Sequence, residues 1–372
     1  MTSLNQRVYW DGYGLGPNPS GVAVYANSIR HELVKIGVDP VLVGDEFSPP
    51  TVFDPILKLK PIYPVRTLNR VLTRLKEQPD IIKPVLIHGL SNINLPVFLS
   101  IPKTVKTVVT VHDLIPFFAK ESVSSAYYWQ FRTLLPRVVN RADRVICVSE
   151  WTKSSLLERF PEIEKKCFVV KNGSDFNISR QQCNPVAARD NSPNKTIKIL
   201  TVGRSEPYKR HSLFVDIIRK SKQVIQGTIV TNDEGAKHLI ANEKSLIDDG
   251  SLSILSNIPN QNLAAIYANH DVYVQPSRFE GFCLPAAEAL WAGIPVVFQT
   301  GSAVDEVVSN GCGMPMTGSD SVENWMDAVL KLNNMRPTAE FQKNLEKHYE
   351  TLTTWKDAAA AVKKLYTELL IK

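Results

Sequence analysis

The stretch DVYVQPSRFEGFCLPAAEALWAGIPVVF, residues 271–298, reads as strand, loop, helix and strand in that order. DVYVQ (271–275) and IPVVF (294–298) are short β-branched runs of the kind that fill buried strands, and Pro276 closes the first of them. A helix begins near Pro285, which suits a first turn because its missing N–H would have had no partner there. Two parallel strands joined through a helix are the repeating unit of a sheet covered by helices on both faces.

Outward from this unit the alternation continues in both directions. Upstream lie TIKILTVG (196–203), GTIVT (227–231) and SLSIL (251–255). Further back come RVYW (7–10), VDPVLVG (38–44), VLIHG (85–89), KTVVTVH (106–112) and RVICVS (144–149). Amphipathic stretches separate several of them; one runs from Val22 to Ile36 and stops at Gly37, as a helix C-terminus should. The polar, proline-bearing segment 172–195 interrupts the pattern, and after Gly318 only helical patterns follow, ending in DAAAAVKKLYTELL (357–370). The chain therefore predicts two doubly wound α/β domains, residues 1–180 and 181–350, with 351–372 a terminal helix. Open α/β sheets take ligands at the carboxyl ends of their strands, so two of them predict a cleft between those ends.

The 372 residues are 44% hydrophobic and 22% charged, an ordinary globular composition. No apolar run reaches the roughly 18 residues of a membrane span, and MTSLNQRVYWDG has no signal-peptide pattern, so a cytoplasmic protein is expected. Cys147, Cys167, Cys183, Cys283 and Cys312 are odd in number and form no C-x-x-C pair, which argues for reduced thiols over a disulfide framework or zinc knuckle. The net charge of +6 is uneven: residues 1–180 hold 23 Lys and Arg against 16 Asp and Glu, the remainder 20 against 21. An anionic partner of the first half is one reading, a well-solvated surface the other. RTLNRVLTRLK (66–76) puts Leu68, Val71, Leu72 and Leu75 on one helical face with Arg66, Arg70, Arg74 and Lys76 mostly off it, a pattern that suits an anionic membrane surface.

Three stretches carry candidate chemistry. DGYGLGPNPSG (11–21) is glycine-rich but fails G-x-G-x-x-G; Gly21 either offers helix N-terminal amides to an anion or only serves a loop. In VGRSEPYKRHSLFVDII (202–218), Arg204 and Lys209 follow a strand end, where two cations suit a pyrophosphate. In the opening stretch, Glu280 and Gly281 lie in the loop, and the free amides around Phe282, Cys283 and Leu284 make a phosphate site at a helix start. Glu288, one turn in, is placed to grip two adjacent hydroxyls of a ribose.

These residues resemble the retaining GT-B glycosyltransferases, the group that includes bacterial mannosyltransferases and sucrose synthases. The resemblance covers nearly the whole chain and rests on the E-x7-E element from Glu280 to Glu288 with Gly281, Phe282 and Pro285, on Gly203-Arg204…Lys209, and on VHDLIPF (111–117), VICVSEWTKSSL (145–156) and VVKNGSD (169–175). It implies that the N-terminal domain takes the acceptor, the C-terminal domain a nucleotide diphosphate sugar, and that the final helix packs back on the N-terminal domain. Arg204 and Lys209 would hold the pyrophosphate with Gly203 at the strand end, Glu288 the ribose, Glu280 the hydroxyls of the transferred sugar, and the amides of Phe282, Cys283 and Leu284 the phosphate and sugar. His112 and Asp113 would reach the sugar, His112 being otherwise a core histidine, and Glu306 matches a residue near the donor. Catalytic roles thus fall on Glu280, His112, Arg204 and Lys209. Cys283 stands where the family usually has glycine, Arg210 where glycine is common, and TNDEG (231–235) only loosely matches the usual G-D-G turn.

The chain has no D-x-D, so transfer without a metal is expected, with the cations and helix dipole neutralising the leaving group. The expected reaction is transfer of a hexose, with mannose from GDP-mannose suggested by VHDLIPF, to a saccharide or polyprenyl-diphosphate-linked saccharide; UDP-glucose or another UDP-hexose is the alternative donor. A nucleotide-sugar epimerase of related fold is a second class of reading. Nucleic acid is not an expected partner.

Overall fold

The computed structural model describes residues 8–11, 20–43, 85–97, 101–175, 196–221, 223–308, 311–318 and 320–371. The basic stretch 66–76, most of the glycine-rich loop 11–21 and most of the 172–195 segment lie outside them. The chain divides into two compact units: Met1–Gly173 with Thr353–Lys372, and Ser174–Leu352.

In the first unit β1 (Val8–Asp11), β2 (Val41–Val43), β3 (Leu86–Gly89), β4 (Lys106–Val111), β5 (Arg144–Cys147) and β6 (Cys167–Val169) form one parallel sheet in the order β2-β1-β3-β4-β5-β6. Register is set by pairs such as Tyr9↔Val41, Val8↔Leu86 and Val109↔Val145. The strands are buried almost throughout, as a sheet covered on both faces demands, so their sequences run apolar instead of alternating. Helix Gly21–Lys35 starts where the Ser20 hydroxyl accepts the Ala23 amide at 3.2 Å, buries Ala23, Ala26, Ile29 and Leu33, and ends at Gly37, whose φ of +82° suits glycine.

The helix Trp355–Ile371 belongs to this unit and packs on helix Gly21–Lys35. Its buried face carries Trp355, Ala358, Ala359, Val362, Leu365, Tyr366 and Leu369. Two polar anchors fix it: Trp10 Nε1 donates to the Tyr366 hydroxyl at 2.9 Å, and Lys363 Nζ donates to the Ile36 carbonyl at 2.6 Å. Gly173 lies so close that a Cβ there would sit 2.3 Å from the Trp355 amide nitrogen, so only glycine lets the two segments meet.

In the second unit β7 (Ile197–Val202), β8 (Ile225–Thr231), β9 (Leu252–Ser256), β10 (Val272–Gln275), β11 (Val296–Gln299) and β12 (Gly313–Met316) form a parallel sheet in the order β12-β11-β10-β7-β8-β9. Chain order runs outward from β7 through β8 to β9 on one side and from β10 through β11 to β12 on the other. The reversal between β7 and β10 is a topological switch point, where the loops leaving two adjacent strand ends part and open a crevice. This brings the segment after Val202 beside the segment after Gln275.

Candidate active site at the switch point of the second unit

The loop after β7 carries Gly203 and Arg204, then a tight turn Pro207–Lys209, then helix His211–Lys220. Arg204 is largely exposed, its Nε 3.1 Å from Glu206 Oε1. Lys209 turns inward and its Nζ meets Glu280 Oε1 at 2.7 Å, Glu280 being buried and Lys209 largely so. Burial works against the ammonium, but the Glu280 carboxylate outweighs it and holds Lys209 well above the ordinary lysine value. Two charges that sequence analysis assigns to different parts of a ligand are thus one ion pair across 71 residues of chain, because buried charge in a low-dielectric site needs a partner.

A neutral relay supports the pair. Gln275, at the end of β10, is buried; its Nε2 donates to Glu280 Oε1 and Ser277 Oγ, each at 2.7 Å. Its Oε1 accepts from the Tyr273 hydroxyl at 2.6 Å, which fixes which way the amide faces. Sequence analysis passed over Tyr273, Gln275 and Ser277; the signal available was polar residues inside and just after an otherwise apolar strand. Among the described residues Glu280 Oε2 takes no hydrogen bond, so one oxygen of this carboxylate is held and the other is open.

Helix Leu284–Trp291 begins from Cys283, whose φ of 72° and ψ of 67° lie in the left-handed region. Arg210, which starts helix His211–Lys220, has φ 53° and ψ 44°. Both positions are ones where the resemblance calls for glycine, and the backbone gives the reason: a side chain there is strained and glycine is not. Among the described residues the amides of Phe282, Cys283 and Leu284 have no protein acceptor, and Pro285 has no N–H. The Cys283 carbonyl accepts from Ala286 and Ala287. Burial and Glu280 push the Cys283 thiol well up, so it is neutral.

Glu288 lies on this helix and accepts from the Tyr267 hydroxyl through Oε2 at 2.9 Å. Burial pushes its carboxyl up to about 7, against the pull of that hydrogen bond. Tyr267 is fully buried, and its ring lies 5.8 Å from that of Tyr273. Glu306 sits in the short helix Val304–Val307; the preceding Ala303 amide donates to the Glu280 carbonyl at 3.2 Å, and Asp305 Oδ2 accepts from Gly301 and Ser302. TNDEG reaches the same end of the sheet: a Cβ on Gly235 would stand 2.6 Å from Ser205 Cβ, so the start of helix Asp233–Asn242, which follows β8, lies against the loop after β7.

The remaining predicted residues lie in the first unit. His112 follows β4; its Nε2 is 2.7 Å from the Leu90 carbonyl, which can only accept, so Nε2 carries the proton and Nδ1 the lone pair. Burial pushes its pKa down to about 4, so the ring is neutral, and it stands edge-on to Tyr25 at 4.9 Å. Asp113 Oδ1 accepts from the Ile115 amide at 3.1 Å. Gly21 is exposed at the first turn of its helix, with nothing within 4 Å of where a Cβ would sit. Among the described residues no helix is long and apolar enough to cross a membrane, and no group of three His, Cys, Asp or Glu is placed to hold a metal ion.

Comparison with known proteins bears on this arrangement. The family described as "Glycosyl transferases group 1" matches residues 186–349, and "Glycosyltransferase Family 4" matches residues 19–177. The O-antigen chain mannosyltransferase RfbU of Salmonella typhimurium is 25% identical over 63% of this chain and 63% of its own length. The MMP alpha-(1->4)-mannosyltransferase of Mycolicibacterium hassiacum is 25% identical over 71% of this chain and 66% of its own. The matched region is thus just under two thirds of each of these relatives. Among solved structures, sucrose-phosphate synthase from Thermosynechococcus elongatus has a TM-score of 0.75 at 18% identity, covering 98% of this chain and 99% of that one. Anabaena HepE, solved in complex with UDP-glucose, has a TM-score of 0.70 at 16% identity, covering 97% and 99%. With an E-x7-E helix at the switch point, two parallel sheets and both halves matched, the chain belongs to the group 1, family 4 glycosyltransferases and has the GT-B fold.

Proposed function

We propose that the protein transfers a hexose from a nucleotide diphosphate sugar to a hydroxyl of a saccharide or polyprenyl-diphosphate-linked saccharide, with retention at the anomeric carbon. The observation that carries this reading is the buried Lys209–Glu280 pair at the strand switch, beside three amides without protein acceptors and one helical turn from Glu288. In this reading the diphosphate takes the amides of Phe282, Cys283 and Leu284 and the charge of Lys209 and Arg204. Glu280 Oε2 accepts from hydroxyls of the sugar, and Glu288 from the ribose. The acceptor oxygen bonds to the anomeric carbon as the bond to the diphosphate oxygen breaks. The electron pair leaves on the diphosphate, and the acceptor's proton passes to that oxygen. In this reading Glu306 is assigned to the sugar end of the donor, as the resemblance implies.

GDP-mannose is the preferred donor, supported by VHDLIPF and by the mannosyltransferases among the relatives. UDP-glucose or another UDP-hexose is the second reading, supported by the HepE complex. The absence of any D-x-D supports turnover in EDTA. A panel of GDP- and UDP-sugars, scored for thermal stabilisation and slow donor hydrolysis, tests the reading, since binding to the native state raises stability by mass action. Stabilisation by none of them overturns it; release of an epimerised sugar without acceptor supports the epimerase. The basic first half supports peripheral attachment to an anionic membrane through residues 66–76. Pelleting with anionic but not neutral vesicles, weakened by salt and by Arg66, Arg70 and Arg74→Ser, tests that.

A further inference from the structure

The hydrogen bond between Tyr267 and Glu288 joins two elements, helix Asn260–Ala268 and helix Leu284–Trp291, which pack on each other. A tyrosine hydroxyl has one proton, and burial and Glu288 together push the Tyr267 phenol far above its ordinary value, so it keeps that proton and donates it. Glu288 Oε2 therefore spends one lone pair on Tyr267, while among the described residues Oε1 takes no hydrogen bond. The Tyr267 ring is in turn set against Tyr273, whose hydroxyl fixes Gln275 beside Glu280. Two tyrosines in contact thus brace the two carboxylates of E-x7-E, one directly and one through an amide.

We propose that Tyr267 is a positioning residue of the donor site: its hydroxyl holds the Glu288 carboxylate as an anion, with Oε1 and one lone pair of Oε2 turned to two adjacent hydroxyls of the nucleotide sugar. This rests on the reading of Glu288 as the ribose contact. The groups around Glu288 leave this role to Tyr267. Cys283, on the loop that starts the same helix, is a neutral thiol. Lys209 is engaged with Glu280. On the short helix Val304–Val307, which also packs on Leu284–Trp291, Asp305 is turned to the Gly301 and Ser302 amides, with Glu306 next to it in sequence, and what disfavours the Glu288 anion is burial. Tyr267 supplies the opposing effect, a hydrogen bond to the charged form.

Nucleotide affinity then depends on pH. Glu288 holds a proton below about 7 and must lose it to accept two hydroxyls, so affinity falls as pH drops through that value. Removing the Tyr267 hydroxyl withdraws the one contact that favours the anion and raises the midpoint.

The test is calorimetric titration of free GDP and UDP into the full chain between pH 5.5 and 9, with the tighter of the two as probe. Tyr267→Phe keeps the ring and is expected to move the midpoint up by roughly one pH unit, weakening binding roughly fivefold at pH 7 and converging with wild type at pH 9. Substitution of Tyr267 by 3-fluorotyrosine, a stronger hydrogen-bond donor of nearly the same size, is expected to move it down and serves where the phenylalanine variant does not fold. A midpoint unchanged in both, whatever happens to thermal stability, overturns the positioning role. Glu288→Gln separates the two readings: a flat, weaker profile supports Glu288 as the contact, whereas wild-type affinity and pH dependence overturn that assignment irrespective of Tyr267.

Discussion

The two units share one plan, a six-stranded parallel sheet with helices, yet they bury polar groups of opposite kinds. The first unit buries a neutral chain: Trp10 donates to Tyr366, the Tyr366 hydroxyl lies 2.5 Å from His88 Nδ1, His88 Nε2 lies 2.8 Å from the Thr110 hydroxyl, and Thr110 meets Tyr25 at 3.2 Å. Burial lowers His88 to about 3, with His112 adding to the effect, so the ring is uncharged and donates through one nitrogen while accepting through the other. The second unit buries ions, Lys209 with Glu280, at the open end of its sheet. A satisfied neutral chain in a core holds elements together, here the final helix against β1, β3 and β4. A buried ion pair is a poor way to gain stability, because desolvation offsets the attraction. In the proposed reading, its position at a strand switch, with one carboxylate oxygen open, serves a ligand's charge and hydroxyls.

The contrast is tested most severely at Lys209. Lys209→Met leaves Glu280 charged and unpaired, which should cost about 3–5 kcal/mol of stability in the second unit, and should lower kcat by on the order of 10²–10³. Adding Glu280→Gln should restore most of the melting temperature and none of the turnover; recovery of both, or of neither, would break the distinction between the pair's two roles. Calorimetry with turnover assays of the three proteins measures it.

Next in size, Glu288→Ala should weaken nucleotide binding by about 2–3 kcal/mol, the range of hydrogen bonds to a charged group, with the fold intact. Isothermal titration shows it. In the first unit, Tyr366→Phe strands the Trp10 donor and one His88 nitrogen and should cost about 1–3 kcal/mol of stability while nucleotide affinity stays at the wild-type value. A loss of nucleotide affinity there would erase the division between a structural and a ligand-directed network.

The smallest effect is expected at Cys283. Glycine relieves its left-handed backbone but loses a buried side chain, so Cys283→Gly should change stability by less than about 1 kcal/mol, while Cys283→Val, β-branched at the same φ, should be clearly destabilised. Chemical denaturation of the pair of variants reads the difference.

Several features were legible because they are local. The buried β-branched runs of DVYVQ and TIKILTVG are strands in the structure, Val22–Ile36 is a helix that stops at Gly37, and Pro285 sits in the first turn of its helix. The two loops that carry Arg204, Lys209 and Glu280 stand out in the sequence by their strand ends, their charges and, for Glu280, the helix start at Pro285. What the loops do to one another was not legible. Lys209 reads in sequence as a cation for a pyrophosphate, and nothing within several residues of it says that a glutamate 71 positions on will pair with it. Gln275 reads as one polar residue ending an apolar strand, and Tyr267 as a helix aromatic, until packing places them on Glu280 and Glu288.

The sequence by itself determined the elements and the spacing within them, because helix and strand periods, caps and turn residues act over a few bonds. It also determined that Glu280 and Glu288 stand on a loop and the helix that follows, since eight residues of chain hold them together. Only the tertiary structure decided the strand order that sets β7 beside β10, and with it which charges meet, which carboxylate oxygens stay open and which backbone positions, Arg210 and Cys283, must bend the wrong way for their side chains. Those outcomes depend on through-space burial, where an unpaired charge or an unmet hydrogen bond costs more than any local preference returns.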